Sequence, residues 1–212
     1  MISSNSVPLS TVFILLAAVS ISACSEKTLP PQTQQPQATS SGVDQIQVES
    51  NNQQALQQTE EFKKGLSAMK EGEYSEAERF FREFIRKNPK LAGAYTNLAL
   101  IYYDRDEFER SLKLVNRAIE LNPEQSQALN LRAQLMIEKG EIHKARSDYL
   151  RAVELNPGYL NAQYNLALLY DIYLQDIKRA IQHYEIYLSL LNQPDEPTSE
   201  WIEQLKRTLK NG

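Results

Sequence analysis

Few side chains in this sequence are equipped to make or break bonds. The two histidines, His143 and His183, each stand without a second histidine or a cysteine at metal-ligand spacing. Both fall on segments of helical periodicity and read as exposed helix residues. Cys24 is the only cysteine among 212 residues, so its thiol has no disulfide partner within the chain. The seven glycines form no phosphate-cradling loop, and neither G-x-S-x-G nor H-E-x-x-H occurs. Acid–base catalysis would need paired carboxylates converging in a cleft with a raised pKa. The 27 acidic residues instead interleave with 23 lysines and arginines, as in Glu78/Arg82, Glu83/Lys87 and Glu109/Lys113. Opposite charges four residues apart are the pattern of a solvated helix surface. A net charge of −4 without a basic stripe argues against a nucleic-acid partner. The expectation is a protein without catalytic residues, metal, cofactor or small-molecule substrate.

The elements that carry these residues repeat. Asn-Pro recurs at Asn88-Pro89, Asn122-Pro123 and Asn156-Pro157, a period of 34 residues. A fixed period of that size marks stacked supersecondary units. Aligned on the prolines, Ala118 matches Ala152. Phe81, Val115 and Tyr149 share one position, and Ala77, Ser111 and Ala145 another. Gly65, Ala99, Ala133 and Ala167 are also 34 apart, small residues at a site where two helices must approach closely. Phe62, Leu66 and Met69 have helical spacing, and Gly72 and Gly140 mark the turns that follow such helices. The second turn, Arg105-Asp106-Glu107, has no glycine. The fourth also lacks one and carries an extra residue around Tyr173-Leu174-Gln175-Asp176. After Pro194 and Pro197, the residues Trp201, Ile202, Leu205 and Leu209 fall on one face of a last helix, with Thr198 or Ser199 as its cap. Trp201 reads as a packing residue that covers the end of the array.

These positions resemble the tetratricopeptide repeat. That family pattern asks for an aromatic, Leu, a small residue and an aromatic in helix A, then Ala, an aromatic, Ala and Pro through helix B. The second repeat supplies Tyr95, Leu98, Ala99, Tyr102, Ser111, Val115, Ala118 and Pro123. The first supplies Gly65, Gly72, Tyr74, Ala77, Phe81 and Pro89, and the fourth Leu166, Ala167, Tyr170, Ala180 and Tyr184. The resemblance covers about two thirds of the chain. It implies an all-α solenoid whose A helices line a concave groove. Carried over position by position, the groove contacts are Phe62, Leu66 and Met69 in the first repeat, and Thr96, Leu100 and Tyr103 in the second. Asn130, Gln134 and Ile137 follow in the third, then Tyr164, Leu168 and Asp171 in the fourth. Tyr103 and Tyr164 are the expected hot spots. The family's carboxylate clamp needs Lys, Asn and Arg at set sites. Phe62, Leu66 and Leu131 occupy three of them, and only Asn97 fits. The implied partner is an amphipathic helix or extended peptide with apolar anchors.

The N-terminal part differs in kind. Residues 1–23 contain no charged side chain, and Val12 to Val19 form an apolar run too short to span a bilayer but long enough for the core of a secretory signal. No Lys or Arg precedes that run. Ile21-Ser22-Ala23-Cys24 resembles the bacterial lipobox, which implies cleavage before Cys24 and acylation of its thiol. Ser25 after the cysteine implies, by the same analogy, an outer-membrane destination. From there to about Asn52 the chain is rich in Pro, Gln, Ser and Thr and lacks periodicity, the composition of a tether with a reach of roughly 30 Å.

The expected organisation is a signal at 1–23, a lipidated Cys24 with its tether over 24–52, a repeat domain over 53–194 and a capping helix over 195–212. The repeats are placed at about 58–91, 92–125, 126–159 and 160–194. Lipobox, tether and array together resemble pilotin-type lipoproteins of type IV pilus and secretion systems. The resemblance implies a membrane-anchored periplasmic adaptor for a protein partner. Recruitment of peptidoglycan hydrolases or proteases, and service to an energised transport complex, are alternatives within that class. An enzyme, and homo-oligomerisation through the convex face, are rivals from other classes.

Overall fold

The computed structural model describes residues 60–211. The expected signal, Cys24 and the tether lie outside the described residues. Within them are nine α-helices and no strand. Four antiparallel pairs come first: α1 (Glu60–Lys70) with α2 (Tyr74–Lys87), and α3 (Ala92–Asp104) with α4 (Phe108–Leu121). Then follow α5 (Ser126–Glu138) with α6 (Ile142–Leu155), and α7 (Leu160–Leu168) with α8 (Ile177–Leu190). A ninth helix, α9 (Glu196–Asn211), packs on α8. No described helix is long and apolar enough to cross a membrane.

The two helices of a pair differ because their surroundings differ. The second helices bury one stripe, such as Ser111, Val115 and Ala118 on α4, and turn their charges to water. The first helices of the second, third and fourth pairs are buried over most of their circumference, whereas α1, at the start of the described array, buries only the stripe Phe62, Gly65 and Ala68. On α3, Ala92, Ala94, Thr96, Leu98, Ala99, Ile101 and Tyr102 are all covered, because α2, α4 and α5 pack around them. The core is therefore a chain of clusters passed from one pair to the next. Phe62, Phe81, Phe84 and Tyr102 belong to one, Ala99, Val115 and Leu135 to the next, and Tyr149, Tyr184 and Trp201 to the last large one. Each fully buried ring or aliphatic side chain contributes about 1.5–3 kcal/mol.

The turns inside the pairs share one construction. Gly72, Asp106 and Gly140 have φ of 76°, 58° and 72°, the left-handed conformation that closes a helix. The next amide reaches back five residues: Glu73 N to Ala68 O, Glu107 N to Tyr102 O and Glu141 N to Met136 O, at 2.8–2.9 Å. Asp106 fills the glycine's place because Asp tolerates this conformation better than most residues. In the fourth pair the left-handed residue is Gln175 (φ 53°), 35 residues after Gly140. The extra residue therefore enters before the turn, within the first helix. Leu169–Tyr173 is a π-helical segment, Leu174 N bonds to Leu169 O at 3.1 Å, and Asp176 N reaches back six residues to Tyr170 O at 2.8 Å. The insertion is absorbed as a π-turn.

Polar pairs lock neighbouring helices. Glu78 on α2 accepts from Tyr102 Oη (2.6 Å), Arg82 Nε (2.8 Å) and Arg105 Nη1 (2.6 Å), so α2 and α3 share one carboxylate. Arg132 stands where the neighbouring repeats have Leu98 and Leu166, and its guanidinium holds Asp148 of α6 bidentately at 2.6 and 2.7 Å. The cap of α9 is Asp195, not Thr198 or Ser199. Its Oδ1 accepts from Thr198 N at 3.1 Å, and its Oδ2 from Thr198 Oγ1 at 2.9 Å. Trp201, Ile202 and Leu205 are buried as expected of a covering helix, whereas Leu209 remains 39% exposed.

Candidate functional site

The face lined by α1, α3, α5 and α7 was the expected partner surface, and its residues divide by depth. Phe62, Thr96, Asn130 and Tyr164 are buried, so they do not present the contact surface expected of them. The Phe62 ring meets Phe81 edge-on at 5.6 Å and Phe84 at 5.3 Å. Thr96 Oγ1 donates to Gln125 Oε1 at 2.9 Å. Asn130 accepts from Asn165 Nδ2 at 3.1 Å, across to the next repeat, and donates to Gln134 Oε1 at 3.3 Å. The Tyr164 ring lies 4.9 Å from Tyr187 and 5.8 Å from Tyr184. The reason is common to all four. This position of the first helix points toward a neighbouring helix, and it is used for packing between and within repeats.

Asp171 is half-buried and already engaged within the fold. Its Oδ2 accepts from Trp201 Nε1 at 2.7 Å and from Tyr184 Oη at 3.4 Å, which ties α9 to the π-turn. The adjacency of a buried indole N–H and a carboxylate explains why the only tryptophan sits in the last helix: its apolar body fills the end of the core and its polar edge has a partner.

Leu66, Met69, Leu100, Tyr103, Gln134, Ile137 and Leu168 remain half-buried on the same face. The apolar members rest on the three large core clusters, one cluster per pair of repeats. Tyr103 packs against Phe108 at 5.6 Å. Burial raises its phenol, the charges of Glu138, Asp104 and Asp106 add to this, and the pKa is pushed up to about 12. Burial also raises the Asp104 carboxyl. At the clamp sites, Phe62 and Leu131 are buried, and Asn97 Nδ2 is turned onto Gly93 O at 3.0 Å. These sites offer no cation to a terminal carboxylate.

Of the histidines, His143 is exposed, but His183 departs from expectation. It is half-buried, stacked on Tyr170 at 5.7 Å with rings 7° apart, and its Nδ1 is 2.9 Å from Gln163 Oε1. Burial pushes its imidazole below the ordinary value. Among the described residues no group of three or more His, Cys, Asp or Glu could hold a metal ion. Ile172 and Tyr173, in the π-turn, are 42% and 49% exposed; the sequence reading places Tyr173 in a turn and does not single out Ile172. The signal that could have found them is two large apolar residues side by side at the point where the repeat gains a residue.

Residues 68–135 match a family model described as tetratricopeptide repeat, and residues 126–159 match a second model of the same description. No curated protein matches. Among solved structures, MamA is similar at 22% identity over 61% of this chain and 70% of that chain, with a TM-score of 0.51. A tetratricopeptide repeat protein from Parabacteroides merdae ATCC 43184 is 26% identical over 73% of this chain and 61% of that chain (TM-score 0.55). The first TPR of Spaghetti (RPAP3), bound to the HSP90 peptide SRMEEVD, is 21% identical over 56% of this chain and 95% of that chain (TM-score 0.50). The helix pairs, their left-handed turns and these matches agree: the chain carries tetratricopeptide repeats, built into an all-α solenoid of helical hairpins.

Proposed function

We propose that this chain is a non-catalytic scaffold that binds a protein partner on the face of its first helices while Cys24 anchors it to the envelope. One observation carries the binding part. Leu66, Met69, Leu100, Tyr103, Gln134 and Ile137 form a row of half-buried apolar and amide side chains across three successive repeats. Such a row suits apolar anchors spaced along a helix or extended segment. The similar Spaghetti domain holds a peptide from HSP90. With Phe62, Leu66 and Leu131 at the clamp sites, the peptide taken here is recognised by apolar anchors instead of a terminal carboxylate.

The anchoring part rests on Ile21-Ser22-Ala23-Cys24 and the Pro- and Gln-rich residues that follow. Two or more acyl chains hold a protein firmly at a bilayer, each buried methylene contributing about 0.8 kcal/mol. The scaffold then works in the periplasm at the outer membrane. Its role there is to localise or assemble a subunit of a larger machine, of the pilus or secretion type.

The test is photo-crosslinking in intact cells from a photoreactive residue at Leu100, with Lys113 on the exposed face of α4 as the control. One discrete envelope protein captured from Leu100 alone is the expected result, and its identity separates a channel subunit from a hydrolase or a transport component. Equal adducts from both sites, or none from Leu100, would sink the reading. In the same cells, Cys24→Ala should abolish incorporation of a labelled fatty acid and release the chain from the membrane fraction. Retention of both would remove the anchor.

A further inference from the structure

The second helices of neighbouring repeats leave a cleft over the first helix that lies between them, and the array fills this cleft twice with its own side chains. Over α3, between α2 and α4, Tyr102 is 3% exposed; its hydroxyl donates to Glu78, and Arg110 of α4 lies over its ring at 5.7 Å. Tyr170, in the π-helical continuation of α7, is equally buried. It stacks on His183 of α8, and Arg179 of the same helix lies over its ring at 5.5 Å. Each time a phenol ring occupies the cleft beside an arginine of the following helix.

The third repeat departs from this at three registers. Met136 stands where the flanking repeats have Tyr102 and Tyr170, and Lys144 where they have Arg110 and Arg179. Arg132 replaces Leu98 and Leu166, and its guanidinium is drawn to Asp148 at 2.6 and 2.7 Å. The cleft over α5, between α4 and α6, stays open as a cavity of about 480 Å³, the size of a small-molecule site. Leu112 and Met136 give it apolar surface, and the Met136 thioether suits the edge of an aromatic ring. Its polar wall offers donors. Arg132 Nη1, the Asn116 amide and the Ser147 hydroxyl make no hydrogen bond among the described residues, and Lys139 has no ion pair there. The two carboxylates are already engaged, Asp148 by Arg132 and Glu141 by Lys144 at 2.5 Å. Arg132, Lys139 and Lys144 against Glu141 and Asp148 leave one positive charge, which a single carboxylate neutralises. A buried ion pair adds little stability over apolar packing at the same place, so the departure from leucine has another use.

We propose that this cavity is a binding site for a small aromatic carboxylate. The ring enters over Met136, in the place that the flanking repeats fill with their own tyrosine, and the carboxylate meets Arg132 Nη1 and Lys139. The site is independent of the inner face: Arg132, Met136 and Lys139 follow Asn130, Gln134 and Ile137 by two positions each, about 200° around α5.

The chain has three methionines, so methyl-labelled methionine in the full chain reports from Met136 in the cavity and, as a control, from Met69 on the inner face. Titration with phenylpropionate should give a saturable ring-current shift at the Met136 methyl and leave Met69 unmoved. Phenylpropionamide, which lacks the charge, should bind about fivefold more weakly or worse, and Lys139→Glu, at an exposed position, should weaken the acid about tenfold or more with circular dichroism unchanged. Met136→Tyr puts into the cleft the ring that the flanking repeats carry, and saturation transfer from the protein to phenylpropionate should vanish in it. An unmoved Met136 methyl, equal affinity for acid and amide, indifference to Lys139→Glu, or unchanged saturation transfer in Met136→Tyr would each overturn the proposal. A hexapeptide ending in phenylalanine that shifts Met136 at far lower concentration than phenylpropionate would overturn it too, by making a protein chain end the occupant.

Discussion

Gly65→Ala tests the packing logic of the array most sharply, because sequence and structure give opposite signs. The other three repeats carry Ala99, Ala133 and Ala167 at this register, and Ala is favoured over Gly in a helix by about 1 kcal/mol. By that reasoning the substitution stabilises. The structure places a Cβ at residue 65 only 2.8 Å from Phe81 Cε1 and 2.9 Å from Cζ. Phe81 is fully buried and its ring is fixed edge-on to Phe62, so it cannot turn away cheaply. Overpacking of this kind costs about 1–3 kcal/mol, which leaves a net loss of about 1 kcal/mol. The second repeat pairs its Ala99 with the smaller Val115. In a Phe81→Val background, Gly65→Ala should therefore become stabilising by about 1 kcal/mol, the bare propensity gain. Urea unfolding followed by circular dichroism measures both backgrounds, and hydrogen exchange on α1 and α2 guards against piecewise unfolding of the end repeat. A Gly65→Ala that stabilises in both backgrounds would refute the reasoning.

Three other outcomes follow from the same structure. Arg132→Leu restores the residue type of Leu98 and Leu166 but leaves Asp148 buried without its partner, so it should cost about 2–3 kcal/mol, while Arg132→Leu with Asp148→Leu should recover most of the loss; equilibrium unfolding of the four-member cycle decides. Trp201→Phe keeps an aromatic ring but removes the pyrrole part of the buried indole with its donor to Asp171, and should destabilise α8, α9 and the π-turn by about 1–3 kcal/mol, with hydrogen exchange of α1 to α4 unchanged. Burial pushes the Glu78 carboxyl up, yet the hydrogen bonds from Tyr102, Arg82 and Arg105 outweigh it and hold the pKa at about 2, against an ordinary 4.5. A folded-state pKa below the unfolded one means that the stabilisation is present above pH 4.5 and is lost as the pH falls toward 2. The urea midpoint should drop over that window, and drop less in Glu78→Gln.

Much of the fold was legible because a repeat writes its pattern several times. Pro89, Pro123 and Pro157, and the small residues at Gly65, Ala99, Ala133 and Ala167, set the phase of an all-α array without reference to any contact. The turns were legible where glycine marks them, and Asp106 takes the same left-handed conformation without one. The extra residue of the fourth repeat was visible as a count, but its placement was not. A π-turn in Leu169–Tyr173 and a shifted left-handed Gln175 satisfy the same backbone amides as a longer loop would, and only packing chooses between them.

The candidate surface was less legible, for a physical reason. Which face of a helix meets solvent depends on neighbours that the local pattern does not contain. Phe62, Thr96, Asn130 and Tyr164 occupy a register that points inward, and Asp171 is claimed by an indole thirty residues further on. His183 sits on a charged helix, yet it stacks on Tyr170 because the π-turn brings that ring beneath it. The sequence by itself determined the repeat, its period and the helical class, since these follow from local periodicity and backbone preference. Tertiary structure alone decided which side chains of the inner face are accessible, where the inserted residue resides and that Ile172 and Tyr173 are left exposed, since these depend on packing between units that no local pattern encodes.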